Sequence, residues 1–255
     1  MKRKHLPRTR FADTIISEFL PPASRYLNKR PSKVIILCKG VPGMPYAEPV
    51  IRFWSEKGFW VFFPRYRGTW ESGGTLLKSS PELDIRDVMD GIELGFTALG
   101  SHLYHRLYGP EFYLFGGSFG SPAAILCSKE ERVKKAVTFS TVVDWRALPQ
   151  NAVNITLHYT GQAFGAAYRF DHKDFTRLKN GEFYNPAHHA SELMGSKLLF
   201  IHARDDKETP FAPVKAFAKK VGAKLITLPT GGHFGYSRSI EPKLYRKIRA
   251  FLKAP

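Results

Sequence analysis

The chain has 255 residues, 43% hydrophobic and 24% charged, a globular composition sufficient for one full core. Lys and Arg (39) exceed Asp and Glu (22) for a formal charge of +17. The basic residues are spread along the chain without zinc-finger spacing or an aromatic RNA-binding motif, so a solvated basic surface is expected and a specific nucleic-acid site is not. No run approaches the ~18 uncharged apolar residues of a membrane span, which argues against membrane insertion. Met1-Lys2-Arg3-Lys4 is basic, but Arg8, Arg10, Asp13 and Glu18 interrupt the next segment, so no export signal is read. Two cysteines, Cys38 and Cys127, suit a reducing compartment, and the expected location is cytoplasmic.

In chain order, a strand is expected within Thr14–Leu20, before Pro21-Pro22 ends it. Further strands are expected at Val34–Cys38, Trp60–Phe63, Phe112–Phe115, Val133–Phe139, Leu198–His202 and Lys224–Leu228. Helices are expected between them at Tyr46–Lys57, Pro81–Leu99, Phe119–Lys129, Phe211–Val221 and Pro242–Leu252. The helix from Pro81 has Ser80 as N-cap, proline at its first position, and Glu82, Asp84 and Asp87 near the positive end of its dipole. Short apolar runs alternating with amphipathic segments predict an α/β fold with a mostly parallel sheet flanked by helices. The stretch from about Trp145 to Gly195 breaks this rhythm and reads as a helical insertion, a cap over the C-terminal edge of the sheet. The expectation is one domain, with a core of about 1–144 and 196–255 and a cap of about 145–195.

Gly116-Gly117-Ser118-Phe119-Gly120 follows the apolar run Phe112–Phe115. A serine between a strand and a helix sits on a tight turn that excludes bulk two residues to either side, and Gly116 and Gly120 meet that need. Such a turn presents Ser118 as a nucleophile and the Phe119 N–H as an oxyanion donor. A serine nucleophile needs a base, and the base needs an orienting carboxylate. The strand ending at His202 runs into Asp205-Asp206, where Asp206 is the expected acid and Asp205 the alternative. The strand ending at Leu228 leads to Gly231-Gly232-His233-Phe234-Gly235, a glycine-flanked turn that nominates His233 as base. His202, on a buried strand, is expected to be a core histidine. His102 with His105, and adjacent His188-His189, lack carboxylates at a familiar ligand spacing, so no metal site is expected. Tyr159, Phe164, Tyr168 and Phe170 in the insertion either line an acyl pocket or pack the cap onto the core.

The order Ser118, Asp206, His233 resembles that of the α/β-hydrolases, nearest to their esterase and prolyl-oligopeptidase-like branches. The likeness runs from about Val34 to the C-terminus. Lys39-Gly40-Val41-Pro42-Gly43 resembles the family's His-Gly-x-Pro loop, which implies Val41 as the second oxyanion N–H donor. Phe62–Gly74 is similar to the family's stretch after the next strand, and the similarity of Ile201–Pro210 to its acid-bearing segment puts the acid on Asp206. Three positions depart from the pattern: Lys39 stands in place of His, Trp70 in place of Gly, and Ala203 in place of Gly. Phe119 replaces the Tyr common in the peptidase branch. Trp70, Tyr159 and Phe164 are the candidate substrate-binding residues.

The resemblance implies a cofactor-free serine hydrolase that cleaves small or medium carboxylic esters through an acyl-enzyme. A stand-alone peptidase acting on an amide substrate is the second expectation, and a non-catalytic binding protein of the same fold the third. An anionic substrate is compatible with the basic surface. Oligomeric state has no signature in the sequence.

Overall fold

The computed structural model describes residues 5–149 and 151–254, so the basic start at residues 1–4 lies outside the described residues. The strands are β1 (Arg8–Phe11), β2 (Ile15–Leu20), β3 (Lys33–Cys38), β4 (Trp60–Pro64), β5 (Phe96–Leu99), β6 (Tyr104–His105), β7 (Glu111–Gly117), β8 (Val133–Phe139), β9 (Leu198–Ala203) and β10 (Lys224–Leu228). They form one sheet in the order β10-β9-β8-β7-β3-β4-β2-β1-β5-β6. From β10 to β4 all neighbours are parallel, whereas β2, β1, β5 and β6 add an antiparallel edge.

The helices are α1 (Glu48–Glu56), α2 (Pro81–Leu94), α3 (Ser121–Cys127), α4 (Ala152–Phe164), α5 (His172–Lys179), α6 (Phe211–Val221) and α7 (Pro242–Lys253). Because successive strand residues point to opposite faces, β3 sends Val34, Ile36 and Cys38 into one apolar layer and Ile35 and Leu37 into the other. The first layer is closed by α2, α3 and α6, the second by Val50, Ile51 and Trp54 of α1 and Leu244, Ile248 and Phe251 of α7. A strand buried on both faces reads as an unbroken apolar run, which is why these strands stand out in the sequence. Among the described residues no helix is long and apolar enough to cross a membrane.

The expected helix over Pro81–Leu99 is shorter than anticipated. It stops at Leu94 because Gly95 adopts φ 96°, and Phe96–Leu99 becomes β5. The pairing that draws those residues into the sheet is with Arg8 and Thr9, a contact some 90 residues away that local periodicity does not encode. β1 and β6 are likewise additions to the expected set of strands. At the other end of α2, the Ser80 hydroxyl bonds to the Glu82 carboxylate rather than to a backbone N–H.

The sheet has a switch point between β3 and β7. The chain leaves β3 through α1 to β4 on one side, then returns and proceeds through β7, β8 and β9 on the other. Loops leaving the carboxyl ends of β3 and β7 diverge there and open a crevice between them, where ligands bind in open α/β sheets. These two loops are Lys39–Gly43 and the turn at Ser118. Residues 145–195, between β8 and β9, carry α4 and α5 joined by short 3-10 turns.

Candidate active site

Ser118 occupies a sharp turn between β7 and a 3-10 turn that leads into α3, with φ 49°, a left-handed value that L-residues adopt only when surroundings impose it. A Cβ at Gly116 would stand 2.6 Å from the Gly120 carbonyl oxygen, and one at Gly120 only 2.1 Å from the Cys38 carbonyl oxygen. Glycine at both positions lets the strand, the turn and the β3 loop pack backbone to backbone. Gly40 fits against the same turn, since a Cβ there would lie 3.3 Å from the Gly117 oxygen and 3.7 Å from Ser118 Cβ.

Phe119 is buried among Tyr66, Trp145 and Tyr184, and the Tyr184 hydroxyl donates to the Phe119 carbonyl at 2.6 Å while accepting the Ala123 N–H at 3.2 Å. Tyr184 therefore buttresses the serine turn from the insertion. Nothing in the sequence singles it out, because its role depends on a contact 65 residues away.

Asp206 and His233 meet directly. His233 Nδ1 lies 3.1 Å from Oδ2 and 3.2 Å from Oδ1 of Asp206, whose side chain is fully buried. Asp206 also accepts N–H groups from Glu208 and Thr209 at 3.0 Å and the Thr209 hydroxyl at 2.8 Å, and the nearby Ser140 hydroxyl favours its charged form. Burial by itself would favour the neutral acid, but these donors and His233 outweigh it and hold the carboxyl well below the ordinary range. For His233, burial pulls the pKa down, yet the hydrogen bond and charge of Asp206, with the nearby Glu208, raise it above its ordinary value. Glu208 Oε2 is 3.6 Å from Nε2.

Asp205 has a separate task. Its carboxylate accepts the N–H groups of Gly231 and Gly232 at 3.3 and 2.9 Å, fixing the turn that delivers His233. From the other side, Ser140 Oγ accepts the Phe234 N–H at 2.9 Å. Sequence reasoning misses Ser140; it follows β8 with φ 43°, and only the sheet register brings it to the histidine loop. His202 is the core residue expected. Its Nδ1 accepts the Thr141 N–H at 3.0 Å, which leaves Nε2–H to donate to the Thr209 carbonyl at 2.8 Å, and burial pushes its pKa down.

A cavity of about 830 Å³ brings together Val41, Ser118, Phe119 and His233. Much of its lining is apolar, including Met44, Val142, Trp145, Leu148, Val153, Ile155, Phe175 and Leu178; α4 contributes one side, and Lys39, Lys207 and Glu208 supply charge. Asp206 sits behind His233 rather than in the lining. The hydrogen bonds of His233 run to Asp206 and Thr209, and among the described residues none links it to Ser118.

The three candidate substrate-binding residues separate. Tyr159 lines the cavity, whereas Trp70 and Phe164 do not: their rings pack edge-on at 6.1 Å and both contact Tyr168. The histidine pairs are structural or superficial, with His105 packed on Phe19, Trp60 and Phe96, and His189 paired to Glu192. Among the described residues no group of three His, Cys, Asp or Glu side chains is placed to hold a metal ion.

Comparison with known proteins agrees with this architecture. The fold is similar to that of an esterase from Pyrococcus furiosus, at TM-score 0.65 and 16% identity over 96% of this chain and 88% of that one. It is similar to an acylaminoacyl peptidase from Pyrococcus horikoshii, at TM-score 0.63 and 15% identity over 98% of this chain, which spans only 41% of that enzyme. An alpha/beta hydrolase enzyme from a sediment metagenome of the Mar Chica lagoon in Morocco gives TM-score 0.62 and 16% identity over 98% of both chains. At such identities the likeness is one of fold. No curated protein matches the sequence. Residues 46–254 match the model of the prolyl oligopeptidase family, a match that starts just after the Lys39–Gly43 loop. Sequence match and sheet architecture together assign the chain to the prolyl oligopeptidase family of α/β-hydrolases.

Proposed function

We propose that this protein is a serine hydrolase that cleaves carboxylic esters through a covalent acyl-enzyme. The observation that carries the reading is the convergence, on one largely apolar cavity, of a serine held at φ 49° and a histidine held by a buried carboxylate. In this reading His233 takes the Ser118 proton as Oγ attacks the substrate carbonyl, and the N–H groups of Phe119 and Val41 receive the oxyanion. His233 then returns the proton to the leaving alcohol, and water repeats the sequence to release the acid. Asp206 keeps the Nδ1–H tautomer and steadies the imidazolium. The serine–histidine contact needed for the first step is one that tightens when substrate fills the site. The apolar lining from Trp145 to Leu178 suits an aliphatic or aromatic acyl group of medium size, and the exposed Lys207 tolerates a negative charge beside it.

The family match favours one other reading, a peptidase or acyl-peptidase that cleaves amides with the same residues. Two measurements test the proposal. A fluorophosphonate probe is expected to label the wild type and not Ser118→Ala, and p-nitrophenyl acyl esters are expected to turn over faster than aminoacyl-anilides. A folded wild type that resists the probe would remove the enzyme reading, and turnover of anilides but not esters would replace esterase by peptidase.

A further inference from the structure

Two of the departures from the family pattern, Lys39 and Trp70, meet at Gly43. Lys39 is only 6% exposed, and its ammonium donates to the Gly43 carbonyl oxygen and, at 2.9 Å, to the Tyr168 hydroxyl. That hydroxyl accepts the Gly43 N–H at 2.9 Å and donates to the Gly43 carbonyl at 2.9 Å, while Trp70 Nε1 adds a donor to the same carbonyl at 3.1 Å. Both backbone groups of Gly43 are thus held by side chains, from the β3 loop, the β4 loop and the insertion. The Lys39 ammonium also stands 5.5 Å from the Trp70 ring centre and 5.4 Å from that of Tyr168.

Tyr168 cannot swing independently of the core. The Trp70 N–H bonds to the Ala167 carbonyl at 2.6 Å, Arg169 N–H to the Gly68 carbonyl at 2.7 Å, and Leu76 N–H to the Arg169 carbonyl at 2.7 Å. At its other end the β3 loop rests on the serine turn through Gly40. Within Lys39–Gly43, Pro42 fixes its own φ and restricts Val41, whereas Gly40 and Gly43 are intrinsically free, so it is at these two glycines that contacts must remove the backbone freedom. Val41 lies between the two pinned points.

We propose that Lys39, Tyr168 and Trp70 form a latch that positions the oxyanion loop, keeping Val41 N–H in register with Ser118 and tying that register to the seating of the insertion. The latch rests on the proposed roles of Ser118 as nucleophile and Val41 as oxyanion donor. An oxyanion donor is effective only if fixed before charge develops, and a small displacement is felt in the transition state far more than in the bound substrate. The three side chains are therefore positioning residues, acting through the Gly43 backbone.

Tyr168→Phe in the full chain removes the hydroxyl and keeps the ring. The expected result is a fall in kcat of about 10- to 100-fold with KM within about twofold. Affinity for an alkyl boronic acid, which forms a charged tetrahedral adduct on a serine, falls by the same factor. Affinity for the product carboxylate, a ground-state ligand, stays within about twofold. Trp70→Phe removes one donor to Gly43 and is expected to give a smaller loss with the same division between kcat and KM. A folded Tyr168→Phe with wild-type kcat and boronate affinity, or with its whole loss in KM, overturns the latch. If Tyr168→Phe does not fold, Trp70→Phe decides by the same measures. A wild type that resists the fluorophosphonate probe removes the Ser118 reading and the latch with it, whereas an active wild type with an unchanged variant removes the latch alone.

Discussion

Asp206→Asn is the perturbation whose outcome the geometry constrains most tightly. The N–H groups of Glu208 and Thr209 both point at Oδ1 from 3.0 Å, so the amide oxygen of an asparagine takes that place and its NH2 takes the place of Oδ2. His233 Nδ1 is 3.1 Å from Oδ2 and 3.2 Å from Oδ1, but Oδ1 already receives two backbone N–H groups, so Oδ2 is the acceptor left for Nδ1–H. A donor there meets Nδ1–H head-on, so the imidazole moves its proton to Nε2 and can no longer accept one from Ser118. Keeping the productive tautomer instead leaves two buried donors facing each other, at a cost of about 2–3 kcal/mol. The imidazolium formed in the transition state also loses a charge-assisted hydrogen bond worth about 1.5–3 kcal/mol. Together these amount to roughly 4–6 kcal/mol, or a kcat lower by about 10³- to 10⁴-fold. The assay is steady-state hydrolysis of a p-nitrophenyl ester at pH 8, with Asp205→Asn as control. Asp205 Oδ1 accepts the Gly232 N–H at 2.9 Å and Oδ2 the Gly231 N–H at 3.3 Å; an asparagine oxygen keeps the shorter bond and gives up the longer one at an exposed turn, so the control should stay within about fivefold of wild type. An Asp206→Asn enzyme keeping more than about a tenth of its kcat, or a larger loss in Asp205→Asn, would refute the reasoning.

Two further predictions concern pH. Burial alone would lower the His233 pKa, but Asp206 and Glu208 raise it above 6.5, so the acid limb of kcat/KM should have its midpoint above about 6.5. Glu208→Gln should move that limb to lower pH, and a wild-type midpoint below about 6 would contradict the assignment. Linkage runs the other way for folding: the stability that a raised His233 pKa contributes is full below about 6.5 and is lost as pH rises through the folded value. Burial, and then the Arg65 guanidinium, push the Lys39 ammonium down to about 7 against the pull of Glu71. Between pH 7 and ~10.4 the unfolded chain holds a proton that the folded chain lacks, so stability should rise with pH across that window. Lys39→Met removes this dependence. The difference in unfolding free energy between variant and wild type, from urea titrations, should therefore change by up to roughly 4 kcal/mol from pH 7 to pH 10, favouring the variant most at pH 7. A pH-independent difference would show that Lys39 keeps an ordinary pKa.

The central strands were legible because burial on both faces demands unbroken apolar runs such as Val34–Cys38 and Leu198–Ala203, and no surface residue dilutes that signal. Gly95 and the strand after it were not, since Phe96–Leu99 is drawn into the sheet by β1, and a helical continuation satisfies the local pattern equally well. Similar logic separates the aromatic residues of the insertion. Tyr159 and Phe164 are five apart on one segment, and only the packing of Phe164 against Trp70 and Tyr168 distinguishes a cavity wall from a buttress.

What the sequence determined by itself is the local chemistry. Glycines flanking Ser118 dictate a tight turn, an acid pair follows β9 and a glycine-flanked histidine follows β10, because each of these requirements is met by neighbouring residues in the chain. Only tertiary structure decided which acid reaches His233 and which anchors its loop, since Asp205 and Asp206 are adjacent in sequence, yet one meets the Gly231 and Gly232 N–H groups and the other the imidazole. Ser140, Tyr184 and the Lys39–Tyr168 contact belong to the same class. Their partners lie 65 to 129 residues away, and a hydrogen bond across that separation depends on where the sheet and the insertion place two side chains rather than on either local sequence.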